Sequence, residues 1–257
     1  MTVAWRLGLF VISLAVLGPA LWHVAAALPA FGAPTEMYGA AVNAIIPSAR
    51  HITNMVAAVN FDVRGFDTLG EECILVAAVT GTCVLLRGAR GEDLTAKAGH
   101  LPDRPLVERS DAVVLVCRIG ATVLLLFGVY MALHGTATPG GGFQGGVIAA
   151  SSLMLIYLGE GYSPWRHVMH SWSLGAFEGG GAFIFVAAAA IPLMLGYAVL
   201  QNILPYGKPK DLFAGGLMVV ANFAVGLSVA GSFGQLMLEF MEETRSPEDD
   251  PIPDEED

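Results

Sequence analysis

Long apolar runs separated by short polar breaks set the pattern of this chain. The runs are Leu7–Leu28, Cys73–Leu86, Ala112–His134, Phe143–Leu158, Leu174–Leu200 and Leu212–Phe240. A helix of about 20 apolar residues crosses the hydrocarbon core of a bilayer, and only helices or closed barrels satisfy their backbone there. The pattern therefore predicts an all-α, polytopic membrane protein with about six transmembrane helices. The first run follows Arg6 and carries Ala25, Ala26 and Ala27 near its end, as a secretory signal does. It is long for a signal core and reads as a retained helix. Tyr38–Ile46 and His51–Val59 are apolar, weakly amphipathic and too short to span. They read as helices lying along the membrane surface.

The polar breaks divide the chain. A two-helix module occupies residues 1–87, a polar linker 88–111, a four-helix module 112–240 and a tail 241–257. The tail holds nine acidic residues, three prolines and no aromatic side chain. It lacks the apolar surface to fold alone and reads as disordered. With the N-terminus inside, eight Lys and Arg fall on the cytoplasmic side and four on the other. That bias predicts both termini in the cytoplasm.

One stretch breaks the apolar rhythm most sharply: HGTATPGGGFQGGVIAA, His134 to Ala150. Six glycines and Pro139 sit between two apolar spans. Such a stretch makes a tight bend at or within the membrane, where backbones approach closely. Gly140, Gly142 and Gly145 also satisfy the G-x-G-x-x-G pattern. Dinucleotide binding needs a preceding strand and a βαβ unit, and a membrane helix stands there instead.

Composition sharpens the class. The chain is 54% hydrophobic and 14% charged, against roughly 25% charged in a soluble domain. Much of the net charge of −10 lies after Phe240. Scattered Lys and Arg exclude a nucleic-acid surface. Cys73, Cys83 and Cys117 fall in apolar runs without zinc spacing and read as small buried hydrophobes. No nucleophile motif, metal cluster or phosphate loop is present, so neither an enzyme nor a bound cofactor is expected. Six helices with few charges and no internal repeat are too little for a complete carrier. The chain reads as one component of a larger membrane assembly.

Ionisable groups inside membrane helices are functional candidates by default. Asp67 and Glu71 lie four residues apart, on one helix face, with about 6 Å between them. Such a pair suits a relay for Na⁺ or H⁺. Equally, both acids suit a helix N-terminus, where the macrodipole favours them, with Thr68 completing the cap. Glu178 stands alone in the fifth run, before three glycines. It pairs with a cation on another helix or subunit, or sits within reach of the headgroups. Gly175 and Gly179 make a G-x-x-x-G packing face. Arg118 either snorkels to the cytoplasmic interface or meets a buried partner such as Glu178. His134 and Glu160, at span ends, read as interfacial.

Three segments are familiar in combination: residues 134–150 above, NILPYGKPKDLFAGG at 202–216 and NFAVGLSVAGSF at 222–233. They resemble the MnhB-type subunit of Mrp multi-subunit sodium/proton antiporters. VNFDVRGFDTLGE at 59–71 is similar to a segment near the C-terminus of the large, A-type subunit of the same antiporters. The chain thus resembles two modules joined. The resemblance implies a multi-subunit Na⁺/H⁺ antiporter in the bacterial cell membrane, with Na⁺ and H⁺ as transported ions. It implies the other Mrp antiporter subunits, of types A, C, D, E, F and G, and membrane lipid as partners. It also implies a role in ion translocation for Asp67 and Glu71, and a family proline–glycine motif at Pro139, Gly140, Gly141, Gly142, Phe143, Gly145 and Gly146. A membrane-arm component of a respiratory hydrogenase-type complex is the alternative.

Overall fold

The computed structural model describes residues 3–28, 37–93 and 109–243. Residues 244–257 of the acidic tail and most of the polar linker lie outside the described residues, and the tail's first three residues continue the last helix. Every regular element among the described residues is helical, and six helices are long and apolar enough to cross a membrane. The protein is all-α and polytopic.

The chain divides into two compact units, Met1–Ala41 and Val42–Asp257. The first unit contains helix α1, Val3–Ala26. Its apolar side chains, Phe10 and Trp22 among them, are exposed. The start of α2, Met37–Arg50, also belongs to it.

The second unit begins within α2 and contains α3 (Met55–Ala58), a π-helical turn (Val59–Val63) and α4 (Gly65–Asp93). After the linker come α5 (Asp111–Leu133), α6 (Gly142–Glu160), the short α7 (Tyr162–Val168), α8 (Ser171–Met194) and α9 (Leu217–Glu243). Helix α9 is the most buried span and the post around which α4, α5, α6 and α8 gather. Its Ala221, Ala224, Val225 and Val229 are buried with Phe61, Phe185 and Ala189 in the main core. Small residues at these positions let neighbouring helices approach closely.

Several expected boundaries move, each for a local reason. The fifth helix ends at Met194, not Leu200, because Gly196 takes positive φ (85°) and turns the chain. The sixth span starts at Leu217, after Gly215 and Gly216 with φ of 112° and 60°. The second span starts earlier than Cys73: its helix begins at Gly65, so Asp67 and Glu71 lie within its first two turns. The amphipathic reading of His51–Val59 is corrected. His51 itself has φ 60°, and the helix after it buries Ala57 and Ala58 in the core instead of lying on a surface. Cys83 is buried as expected, whereas Cys73 is exposed.

Candidate functional site

The bend after α5 is held by two asparagines from opposite ends of the chain. Asn54 Nδ2 donates to the carbonyl oxygens of Gly135 (2.6 Å), Thr138 (3.0 Å) and Gly140 (3.3 Å). Its Oδ1 caps α3 by accepting from the N–H groups of Val56 and Ala57. The N–H groups of Thr53 and Asn54 both donate to Thr136 O. On the other side, Asn222 Oδ1 accepts from Gly142 N–H (2.7 Å), and its Nδ2 donates to Ala132 O (2.5 Å). Backbone groups freed by the bend find partners within the protein, as a membrane interior requires.

The glycines then set the helix spacing. A Cβ on Gly142 would lie 2.7 Å from the Gly226 nitrogen of α9. One on Gly145 would lie 2.6 Å from the Gly128 oxygen of α5. Gly146 packs on Val229 in the same way. Pro139 is exposed at the turn, Gly140 adopts φ 153°, Gly141 is buried and Phe143 packs against the main core. The motif is a structural joint that fastens α6 to both α5 and α9.

Helices α8 and α9 meet backbone to backbone for the same reason. A Cβ on Gly181 would stand 2.5 Å from both Ala224 O and Ser228 N. A Cβ on Gly231 would stand 2.6 Å from Leu174 O. The close contact presses Glu178 onto α9. Its carboxylate accepts a hydrogen bond from Ser232 Oγ at 2.9 Å and another from Gln235 Nε2. Glu178 is 7% exposed, so it lies inside the helix cluster. Gly175 and Gly179, expected as a packing face, meet no neighbour within 4 Å in this chain. Gly181 and Gly231 make the close contact instead.

Arg118 meets Glu160 and not Glu178. Its Nε lies 2.6 Å from Glu160 Oε1, across the α5–α6 contact, with the Arg118 side chain 62% exposed. Glu160, expected as an interfacial group at a span end, is this arginine's partner.

Asp67 and Glu71 are both exposed on α4, and Asp67 pairs with Arg64 at 2.5 Å. The acid that α4 buries is the next residue, Glu72, at 2% exposure. Gly65, Thr68, Glu72, Val79 and Cys83 form the buried stripe of α4. Their spacing of three, four, seven and four keeps them on one helix face. Asp67 and Glu71 lie one residue, or about 100°, away from it. The signal was present in the sequence, because Thr68, Glu72, Val79 and Cys83 share a register that Asp67 and Glu71 do not.

Outside the spans, Arg50 Nε lies 2.8 Å from Asp62 Oδ2, and its guanidinium sits 5.5 Å from the Tyr206 ring. The hydrogen bond to Asp62 raises the Arg50 pKa above its ordinary value. Asn202 Oδ1 accepts from Leu217 N–H (2.7 Å) at the start of α9. These contacts fold the segment before α9 over the end of α2.

The chain is similar to several known proteins. Residues 112–235 match the family model of a domain related to the MnhB subunit of Na⁺/H⁺ antiporter. An uncharacterized protein of Methanocaldococcus jannaschii is 27% identical over 202 residues, 73% of this chain and 77% of that protein. The B-type subunit of a Na⁺/H⁺ antiporter from Alkalihalophilus pseudofirmus is 43% identical over 53 residues, 20% of this chain. The match spans 37% of that protein. Among solved structures, the membrane-bound sulfane sulfur reductase, an archaeal respiratory membrane complex, has a chain with TM-score 0.70 at 25% identity. That likeness covers 92% of this chain and 98% of the other. The Mrp complex from Dietzia sp. DQ12-45-1b also gives TM-score 0.70, at 20% identity, covering 98% of this chain and 27% of that one. The second is a likeness of fold.

Proposed function

We propose that this chain, through its MnhB-type domain, is a membrane subunit of a multi-subunit Na⁺/H⁺ antiporter and contributes to the ion path as well as to assembly. The observation that carries this reading is Glu178. It is buried in the MnhB-type region and hydrogen-bonded by Ser232 and Gln235 of α9. Buried acids inside membrane helices are costly and mark ion paths. A purely structural helix contact has no need of one.

In this reading residues 1–87 correspond to the C-terminal region of the large, A-type Mrp subunit, and residues 112–240 to the MnhB-type one. The partners are the other antiporter subunits, of types A, C, D, E, F and G, and membrane lipid. The chain lies in the bacterial cell membrane with both termini cytoplasmic, binds no cofactor and catalyses no covalent step. The transported ions are Na⁺ and H⁺. Asp67 and Glu71 point away from this chain's core, so their place in the path depends on the neighbouring protein that faces them. Arg118 and Glu160 act as a charge pair joining α5 to α6.

Sodium-dependent proton flux in inverted vesicles tests the reading, with the whole complex produced with and without this chain. Loss of exchange on its removal, restored by its return, is expected. Undiminished exchange without it would refute the reading. A second reading rests on the likeness to the sulfane sulfur reductase, which spans nearly the whole of both chains. It makes this chain a membrane-arm component of a respiratory complex, and stoichiometric iron in the purified complex would favour it.

A further inference from the structure

Glu72 is a buried acid that the antiporter reading leaves without a role. It projects from α4 and is 2% exposed. Neither of its carboxyl oxygens has a hydrogen-bond partner, nor does the fully buried Ser228 Oγ. The Glu72 carboxyl faces the Ser228 hydroxyl, and Glu178 is the other acid near it. From α8 the other neighbours are Ala182 and Val186, which bring no charge. Asp62, the acid of the π-helical turn, is held by Arg50.

The two acids differ in what surrounds them. Glu178 accepts two hydrogen bonds, from Ser232 and Gln235. Glu72 accepts none. A carboxylate buried without donors is very costly in a medium of low dielectric constant, and it needs a counter-charge. Two carboxylates near one another also resist ionising together. Of the two acids, Glu72 is the one whose oxygens meet no hydrogen-bond donor.

Helix α9 connects the pair. Ser228, Ser232 and Gln235 are spaced by four and three residues and so share one face. Ser228 sits at Glu72, while Ser232 already donates to Glu178. The two serine Cβ atoms, one turn apart, are about 5–6 Å from each other. One water, or rotation of the two hydroxyls, covers that gap.

We propose that Glu72 carries a transferable proton and exchanges it with Glu178 through the hydroxyls of Ser228 and Ser232. In the forward step Glu72 gives its proton to Ser228 Oγ as Ser228 releases its own toward Ser232. Ser232 in turn passes its proton to Glu178 Oε1. Each O–H bond that breaks is replaced by one that forms. Glu72 ends ionised and Glu178 neutral, and no electron moves. This inference rests on the reading of the chain as part of a proton-coupled transporter.

The test uses the whole purified complex, with this chain wild type or carrying Glu72→Gln. Infrared difference spectra across a pH jump read the carbonyl stretch of protonated buried carboxyls. A band is expected in the wild type, absent in Glu72→Gln and shifted in Ser228→Ala, which lacks the hydroxyl facing it. If Glu72→Gln does not assemble, Glu72→Asp is read instead and is expected to shift the band. In vesicles, Glu72→Gln at equal assembly is expected to lower proton-coupled exchange on the order of a hundredfold, the scale of losing a positioned proton donor. No band in the wild type, or one indifferent to these substitutions, overturns the proposal. Exchange by the wild type with an indifferent band removes Glu72 and leaves the antiporter reading standing. A Glu72-dependent band in a complex that exchanges no Na⁺ does the reverse.

Discussion

Asn54 and Asn222 grip the same bend from opposite sides, one donating to three of its carbonyls and the other accepting the first amide of α6. One lies before the second span and the other in the last. The bend therefore fastens the early part of the second unit to helices α5, α6 and α9, and the two substitutions have separable consequences.

Asn222→Ala leaves Gly142 N–H and Ala132 O without their partners. Each buried unsatisfied group costs about 1–3 kcal/mol. The purified complex is expected to unfold at lower temperature, and α6 to become accessible to protease near Gly141. An unchanged melting temperature would show that the bend is held by its glycine packing alone.

Asn54 separates two roles. Asn54→Asp keeps the oxygen that caps α3 but removes the donor to three carbonyls and sets a charge against them. Asn54→Ala removes both roles without adding charge. Asn54→Asp is expected to reduce assembly at least as much as Asn54→Ala, which co-purification of the other subunits measures. The opposite order would place the importance in the cap.

Two glycine substitutions are expected to diverge. Gly142→Ala drives a methyl group into the α9 backbone at Gly226, and overpacking of this kind costs about 1–3 kcal/mol. Gly175→Ala meets nothing within 4 Å in this chain and is expected to be silent for its folding. Melting temperature and yield of the complex distinguish them. Loss of assembly in Gly175→Ala would instead mark a surface where a partner protein packs closely.

Arg118 and Glu160 offer a charge exchange. Glu160→Gln alone leaves an arginine beside apolar helices, whereas Arg118→Glu with Glu160→Arg keeps the pair. The double variant is expected to assemble better than either single variant, as judged by the amount of complex recovered.

The spans were legible because about 20 apolar residues leave a membrane chain few other choices. The bend was legible for a similar reason: Pro139 and six glycines cannot continue an ordinary helix. What holds the bend was not, because Asn54 and Asn222 lie 81 and 80 residues from the groups they bind, and polar side chains alone do not name distant partners. The acids show a finer limit. Motif and spacing direct attention to Asp67 and Glu71, yet one step of 100° around α4 moves burial to Glu72. Glu178 was visible as a lone acid in an apolar run. Its hydroxyl and amide partners required the crossing of α8 on α9, which Gly181 and Gly231 allow.

The most direct measurement of the central claim is Na⁺-dependent proton flux in inverted vesicles holding the whole complex, with and without Glu178→Gln, at matched assembly. The account predicts that exchange is lost while the other subunits still co-purify, because the buried carboxylate is removed and its shape retained. Full exchange by Glu178→Gln would contradict it and leave this chain a scaffold.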